Sequence, residues 1–428
     1  MPRLIYTALF YFLSPLYFIR LALKGLSNPD YFKRWGERLG YSNNLPSNNK
    51  SVLWIHAVSV GEVYASLPLI RKLSESYKMA EILVTTTTPT GSQILLKNMG
   101  SNIKHQYLPI DLPVCIKNFL NNWNPVALIV LETEIWPNTL SLCKERNIFT
   151  SLVNARLSEK SKKQYLKIKT LSFEALSNFD LIIAQYDSDA NRLKEINNSL
   201  EIHVCGNLKF DQEVPEEMIS ISSSIRNSWA RGGERPTLIA ASTHETEEEF
   251  VLDSFSEILS QVKEALLIIV PRHPERFEAV HEYIQNRNLI VSRRSNNDDV
   301  IPETQVLLGD TMGELNFLYS VSDVAFVGGS LVDHGGQNLL EPASLGLPLC
   351  SGKNLRNFEE IADELKKNKA LSLIEDRKNL SDFFIEMISN PKKKEEIGKA
   401  SAEVFKRNRG VSIKINKHLD KHLSKYIK

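Results

Sequence analysis

Between Val52 and Cys350, short runs of β-branched and aliphatic residues alternate with stretches of helical periodicity, and they do so in two series. The first series runs Val52 to Ala57, Glu81 to Thr85, Val126 to Leu131, Ile148 to Val153, Leu181 to Ala184 and Ile202 to Cys205. The second runs Thr237 to Ala241, Leu266 to Val270, Leu289 to Ser292, Val306 to Leu308, Val324 to Val327 and Leu347 to Cys350. A chain that returns through a helix before each new strand pairs its strands in parallel, and continuous apolar runs mean both sheet faces are covered. The pattern predicts an α/β chain of two doubly wound domains, with a polar stretch at residues 211 to 235 before the second series and a join at Gly206 to Asp211. Ligands in such sheets bind beyond the carboxyl ends of the strands, so loops at those ends, facing a cleft, are where chemistry is expected. A length of 428 residues suffices for more than one core.

The ends of the chain differ from its body. Residues 1 to 40 carry six Lys/Arg against two acids, and residues 392 to 428 carry twelve against four, so with a net charge of +1 the middle is acidic. Basic ends suit an anionic partner. No RNA-type aromatic motif or zinc-finger spacing accompanies them, which favours an anionic membrane surface over nucleic acid. The apolar run from Leu4 to Ile19, broken by Ser14 and Pro15, falls short of the roughly 20 residues of a full span. Small residues for a signal-peptide cleavage site are not well placed. Residues 1–24 therefore read as a membrane anchor or interfacial helix, with Arg20, Lys24, Lys33 and Arg34 marking the inner side. A terminal helix packed on the protein's own core is the competing reading. Cys115, Cys143, Cys205 and Cys350 are scattered like free thiols of a reducing compartment.

Residues 328 to 348 (Gly-Gly-Ser-Leu-Val-Asp-His-Gly-Gly-Gln-Asn-Leu-Leu-Glu-Pro-Ala-Ser-Leu-Gly-Leu-Pro) follow a strand with glycines, and a helix is expected to open near Gln337. Free N–H groups at a helix start suit a phosphate, and Glu341 in the first turn suits ribose hydroxyls. A glycine-rich turn with a capping carboxylate would look the same. Three more polar loops fall at strand ends. Ser242-Thr243-His244-Glu245 has capping-box spacing, Pro271-Arg272-His273-Pro274 offers Arg272 to a phosphate and His273 to a base or sugar, and Asp310 to Leu315 brings a further glycine.

In the first series, His56-Ala57-Val58-Ser59-Val60-Gly61-Glu62 puts a carboxylate where a helix begins, fit either to take a proton or to favour the helix dipole. Leu131-Glu132-Thr133-Glu134-Ile135-Trp136-Pro137-Asn138 sets two acids beside a tryptophan at another strand end. Arg156, Lys160, Lys162, Lys163, Lys167 and Lys169 form either an anion site or a solvated basic face. Lys209 lies at the expected join. Asp187-Ser188-Asp189 opens a helix, which favours capping over metal binding.

In order, His56 to Glu62, Glu132 to Pro137, Asn154 to Ser158, Gly206 to Asp211, Ser242 to Glu245, Pro271 to Pro274 and Asn338 to Ala343 resemble the motifs of the 3-deoxy-D-manno-octulosonic acid (Kdo) transferases of lipopolysaccharide assembly. The resemblance implies a GT-B fold of two Rossmann-like domains, and an inverting transferase with CMP-Kdo as donor and the lipid A precursor (lipid IVA) as acceptor. It implies no cofactor and no metal for transfer, and a location at the cytoplasmic face of a bacterial inner membrane. Residues 25–205 would bind the acceptor, 206–211 would link the domains, and 212–390 would bind the donor. Residues 391–428 would form a basic helical segment able to pack back on the first domain. By position, Glu62 would be the general base, and Glu132 and Lys209 would stabilise the transition state. Pro271, Arg272, Met312, Gly313, Glu314, Asn338, Leu339, Leu340 and Glu341 would hold CMP. The donor loops alone would equally suit a GT-B transferase of UDP-sugars, or a non-catalytic nucleotide-sugar binding protein.

Overall fold

The computed structural model describes residues 2–42, 46, 50–212, 216–229 and 235–427, without the side chains of residues 216–219. Of the polar stretch at 211–235, residues 213–215 and 230–234 lie outside the described residues, and Glu216–Trp229 is a helix. The chain divides into two compact units, Met1–Gln212 with Gly410–Lys428, and Glu213–Arg409.

The first unit carries strands β1 (Val52–His56), β2 (Glu81–Thr86), β3 (Lys104–Tyr107), β4 (Pro125–Leu131), β5 (Phe149–Ala155), β6 (Leu181–Ala184) and β7 (Ile202–Val204). They form one parallel sheet in the order β3-β2-β1-β4-β5-β6-β7. The second unit carries β8 (Thr237–Thr243), β9 (Leu266–Pro271), β10 (Val291–Arg293), β11 (Val306–Leu308), β12 (Val324–Val327), β13 (Leu349–Ser351) and β14 (Leu371–Leu373). Its parallel sheet has the order β10-β11-β9-β8-β12-β13-β14. All twelve expected strands are present within a few residues of their predicted ends. The sequence pattern missed β3 and β14.

The strands are apolar along their whole length because helices cover both faces. In the first unit, Leu53 and Ile55 face one core while Trp54 faces another with Phe119, Trp123 and Leu128. Apolar burial at about 25 cal/mol per Å² makes these layers the main source of stability. In each sheet the central strands end on the same edge. In the first unit those are β1 and β4, paired in parallel from Val52 to His56, with β5 beside β4. In the second they are β11, β9, β8 and β12.

Residues 206–211, expected as the linker, are instead a fixed part of the first unit. Leu208–Asp211 is a 3-10 turn in which Leu208 and Phe210 are buried, and the division falls after Gln212. The basic segment 391–428 is likewise two pieces. Pro391–Arg407 belongs to the second unit, and Val411–Leu423 belongs to the first. The Asp211 carboxylate accepts from the backbone N–H groups of Gly410, Val411 and Ser412 at 2.7, 3.2 and 2.6 Å, satisfying the donors at the start of that last helix. The helix then packs on Val60–Ser76, where Tyr77 Oη donates to Asp420 at 2.7 Å and Phe149 stacks on His422.

Helix Pro2–Ser27 lies along the first unit. Its less exposed positions include Arg3, Thr7, Phe10, Ser14, Tyr17, Leu21 and Gly25, alternating steps of four and three that keep one face turned inward. Tyr6 Oη donates to Asp111 at 3.0 Å, Thr7 Oγ1 to Asn138 Oδ1 at 2.9 Å, and Phe18 meets Trp35 at 5.4 Å. The opposite face exposes Leu4, Ile5, Leu9, Phe12, Leu16, Ile19, Leu23 and Leu26.

Candidate active site

In the first unit, the end of β1 passes through Ala57 and Val58 into helix Val60–Ser76. Ser59 is its N-cap and accepts from the Glu62 backbone N–H at 3.3 Å. The Glu62 carboxylate reaches back, accepting from Val58 N–H at 2.8 Å and Ser59 Oγ at 2.9 Å. Ser59 and Glu62 thus bond reciprocally across the first turn, with the carboxylate reaching one residue beyond the N-cap. This also fixes the carboxylate at the carboxyl edge of the sheet. Burial is the main influence raising its pKa to about 7, and the negative charge of Glu132 is the next; the Val58 and Ser59 hydrogen bonds oppose both. A carboxylate poised near neutrality can exchange a proton under ordinary conditions.

The neighbouring strand β4 supplies two more acids. Glu132 has φ 55°, left-handed backbone that costs a non-glycine residue about 1 kcal/mol, and its N–H still bonds Val153 O at 3.0 Å. Thr133 Oγ1 donates to Arg156 O in the loop after β5. Glu134 accepts from Trp136 Nε1 at 3.0 Å, and burial raises its pKa to about 7, with Glu132 adding to the rise. Asn154, at the end of β5, and Ser242, near the end of β8, share the left-handed backbone with φ 55°. Strain of this kind gathers where side chains are held for a task.

Lys209 is brought to this edge indirectly. Asn154 Oδ1 accepts from Leu208 N–H at 2.9 Å, Asn207 Oδ1 accepts from Lys209 N–H at 3.0 Å, and the turn packs on the helix that begins beside Glu62. Of the basic run, Lys162 is buried between Glu159 and Glu195 at 2.8 and 2.7 Å and serves the fold, whereas Lys160, Lys163, Lys167 and Lys169 are exposed. Asp187 and Asp189 lie inside the first turn of their helix, not at its cap. Asp189 is buried and accepts from Leu157 N–H at 2.8 Å, so it fastens the loop after β5.

In the second unit the four predicted loops do follow adjacent strands, but their local structure differs from expectation. No capping box joins Ser242 and Glu245, because β8 continues to Thr243 and the next helix starts at Glu247. Glu247 takes over: its buried carboxylate accepts from His244, Gly329, Ser330 and Leu331 N–H at 3.0, 2.7, 3.0 and 2.9 Å. The glycines of the 328–336 loop are used against the chain itself. A Cβ at Gly328 would stand 2.7 Å from Ser242 O and 2.9 Å from Glu247 Oε2. The helix expected near Gln337 opens only at Leu340 and spans five residues, with Leu340 N–H held by Asn338 Oδ1 at 3.1 Å. A phosphate cradle at a long helix's N-terminus is therefore not what this loop offers.

Arg272 is exposed after β9, its N–H bonded to Thr243 O at 2.9 Å. Pro271 ends that strand. Met312 is 65% exposed, and Gly313 has φ 89°. Glu314 is held by Arg294 through bonds of 3.1 and 3.0 Å and accepts from Thr311 Oγ1, which, with the Arg294 charge, keeps its carboxyl below the usual range. Asn338 Nδ2 donates to Glu341 Oε1 at 3.1 Å. Leu339 and Leu340 are buried. Of a group of three histidines, the sequence pointed only to His273. His244 stacks on His334 at 4.1 Å and meets His273 edge-on at 5.2 Å, and burial plus those neighbours lower its pKa to about 4. The available signal was that His244 and His273 each stand just beyond a strand end.

Two parallel seven-stranded sheets wound in this order define the GT-B fold. The UDP-GlcNAc 2-epimerase of Neisseria meningitidis bound to UDP-GlcNAc shares it, with TM-score 0.59 at 14% identity over 86% of this chain and 100% of that one. The family model described as 3-deoxy-D-manno-octulosonic-acid transferase (kdotransferase) matches residues 33–212. The 3-deoxy-D-manno-octulosonic acid transferase of Haemophilus influenzae is 39% identical over 96% of each chain. The C-terminal CMP-Kdo binding domain of WaaA from Acinetobacter baumannii is 36% identical over 44% of this chain and 98% of that domain, at TM-score 0.43. The chain belongs to the Kdo transferase family, glycosyltransferases of lipopolysaccharide biosynthesis.

Proposed function

We propose that this chain moves Kdo from CMP-Kdo to the lipid A precursor lipid IVA, with Glu62 as general base. The observation that carries the base assignment is the Glu62 carboxylate itself: fixed by Val58 and Ser59, and shifted to about 7 by burial and by Glu132. Its ionised form accepts the proton of a sugar hydroxyl while the hydroxyl oxygen bonds to the anomeric carbon. The bond from that carbon to the CMP phosphate oxygen breaks, the electron pair leaves with CMP, and attack opposite the leaving group inverts the centre. Glu132 supports the positive charge that gathers on the sugar ring, and Lys209 supports negative charge on the departing group. Pro271, Arg272, Met312, Gly313, Glu314 and residues Asn338 to Glu341 hold CMP, with Arg272 facing phosphate and Glu341 the ribose. No metal or other cofactor is assigned to the transfer.

For location we propose the cytoplasmic face of the inner membrane, with helix Pro2–Ser27 lying in the interface. Spanning would require its bonds to Asp111, Asn138 and the Trp35 region to part. An in-plane helix keeps them and gives its exposed apolar side chains to lipid, with Arg20 and Lys24 near anionic headgroups. The test of the activity is incubation of the protein with CMP-Kdo and lipid IVA beside UDP-sugars. Transfer from CMP-Kdo alone is expected; modified lipid formed from a UDP-sugar would replace the donor assignment.

A further inference from the structure

Arg38 closes the short helix Trp35–Arg38 and is buried, with 1% of its surface exposed. Local stability does not account for its charge. The adjacent acid, Glu37, is taken by Arg34 at 2.7 Å, and among the described residues no carboxylate pairs with Arg38. Its guanidinium lies over the ring of Tyr107 at 4.2 Å, and its Nε has no hydrogen-bond partner among the described residues. Burying a cation on such terms costs stability, and an apolar side chain of similar volume would fill the place better. What the guanidinium does supply is a pair of donors held at a fixed separation.

Those donors face two different parts of the first unit. Nη1 donates to Tyr17 Oη at 3.0 Å, on helix Pro2–Ser27, and Nη2 donates to Thr87 O at 2.9 Å, in the loop between β2 and helix Pro89–Met99. Thr87 then reaches the loop after β1, where its Oγ1 donates to Val58 O at 3.1 Å. Val58 N–H donates in turn to Glu62 Oε2 at 2.8 Å. Both peptide groups of Val58 are thereby held, one by Thr87 and the other by Glu62 itself, and Ala57 N–H is fixed by Thr85 O at 3.0 Å. Four hydrogen bonds, joined through Arg38, Thr87 and Val58, lead from the first helix to the carboxylate. We propose that Arg38 is a positioning residue for Glu62: through Thr87 and Val58 it holds the carboxylate in a fixed place relative to helix Pro2–Ser27.

The link itself is a matter of donors and acceptors and does not depend on what Glu62 does. Its consequence for chemistry rests on the reading of Glu62 as the base: a shift of the Val58 peptide moves the oxygen that must meet the acceptor hydroxyl. A misplacement of about 1 Å costs up to roughly 100-fold in rate. Because the helix proposed to lie in the membrane interface is the one Arg38 holds, the same chain ties the base to the surface from which a lipid acceptor arrives.

The test breaks the chain on either side of Arg38 with near-isosteric changes, in the full-length protein in lipid nanodiscs, and reads hydrogen exchange of residues 57–63 by mass spectrometry. Tyr17→Phe keeps the ring on the cluster of Ile110, Leu112 and Cys115, while Tyr6 and Thr7 still bond Asp111 and Asn138, so the helix stays docked. Thr87→Val removes only the hydroxyl. Each should speed exchange of the segment about fivefold, the loss of one hydrogen bond, and lower kcat for transfer from CMP-Kdo by about the same factor with KM for the donor unchanged. Tyr17→Phe made on top of Thr87→Val should add nothing. Exchange unchanged by either variant, effects that multiply in the double variant, or equal acceleration in β4 and β5 would each overturn the link. If Glu62 is not the base, exchange still responds while kcat does not, so the two readings fail separately.

Discussion

Replacing Glu247 by glutamine should loosen the glycine loop of the second unit more than any other isosteric change to a polar residue there. Oε1 accepts from Ser330 and Leu331 N–H, and Oε2 from His244 and Gly329 N–H. An amide puts two hydrogens where one of these oxygens stood, so two of the four backbone donors lose their acceptor in a buried place. Each orphaned donor costs roughly 1–3 kcal/mol, and the surviving pair falls from charge-assisted to neutral, giving about 4 kcal/mol in total. Urea unfolding of the full-length protein, followed by tryptophan fluorescence, reads the loss as a lowered midpoint for the second unit. Titration calorimetry with CMP should show weakened binding, since the loop that leads to Asn338 and Glu341 is no longer pinned to the start of helix Glu247–Gln261. A variant within about 0.5 kcal/mol of the parent, with unchanged CMP affinity, would refute the reasoning and leave the tight packing at Gly328 to hold the loop.

Three further outcomes follow from the same structure. Turnover should fall as pH drops below about 7, because the base must be ionised; Glu134→Gln, which fixes that position neutral, should move this limb to lower pH in a pH–rate profile. The sign for stability is the opposite: with both carboxyls raised above their ordinary values, the folded state holds extra protons, so stability declines between about pH 4.5 and 7 and Glu134→Gln flattens the decline in thermal melts. Phe12→Glu, on the outer face of the first helix, should sharply reduce sedimentation with anionic vesicles while leaving the thermal midpoint unchanged; an unchanged sedimentation would move the membrane surface elsewhere.

Strands that are buried on both faces announce themselves, which is why Leu181–Ala184, Val306–Leu308 and Val324–Val327 were legible to the residue. Lys104–Tyr107 was not, because Lys-His-Gln-Tyr carries polar groups that the fold satisfies from afar: Trp123 Nε1 donates to Gln106, and Thr86 bonds His105. Helix starts were misplaced where a local signal competed with a distant one. Ser242 and Glu245 have capping-box spacing, but the extra residues of β8 and the long reach of Glu247 to residues 329–331 decide the backbone. The position of Glu62 at a helix start was legible because its partners, Val58 and Ser59, are local. Lys209 was placed in a linker because nothing near it in sequence shows that Asn154, some fifty residues earlier, would hold its turn.

The central claim is that Glu62 takes the proton of the acceptor hydroxyl during Kdo transfer. Its most direct test is single-turnover transfer from CMP-Kdo to lipid IVA by Glu62→Gln, read as lipid mass, beside calorimetry with CMP. The account predicts CMP binding within about twofold of the parent and no lipid gaining the mass of Kdo, since an amide keeps the shape but cannot accept the proton. Near-parental transfer by Glu62→Gln would contradict it.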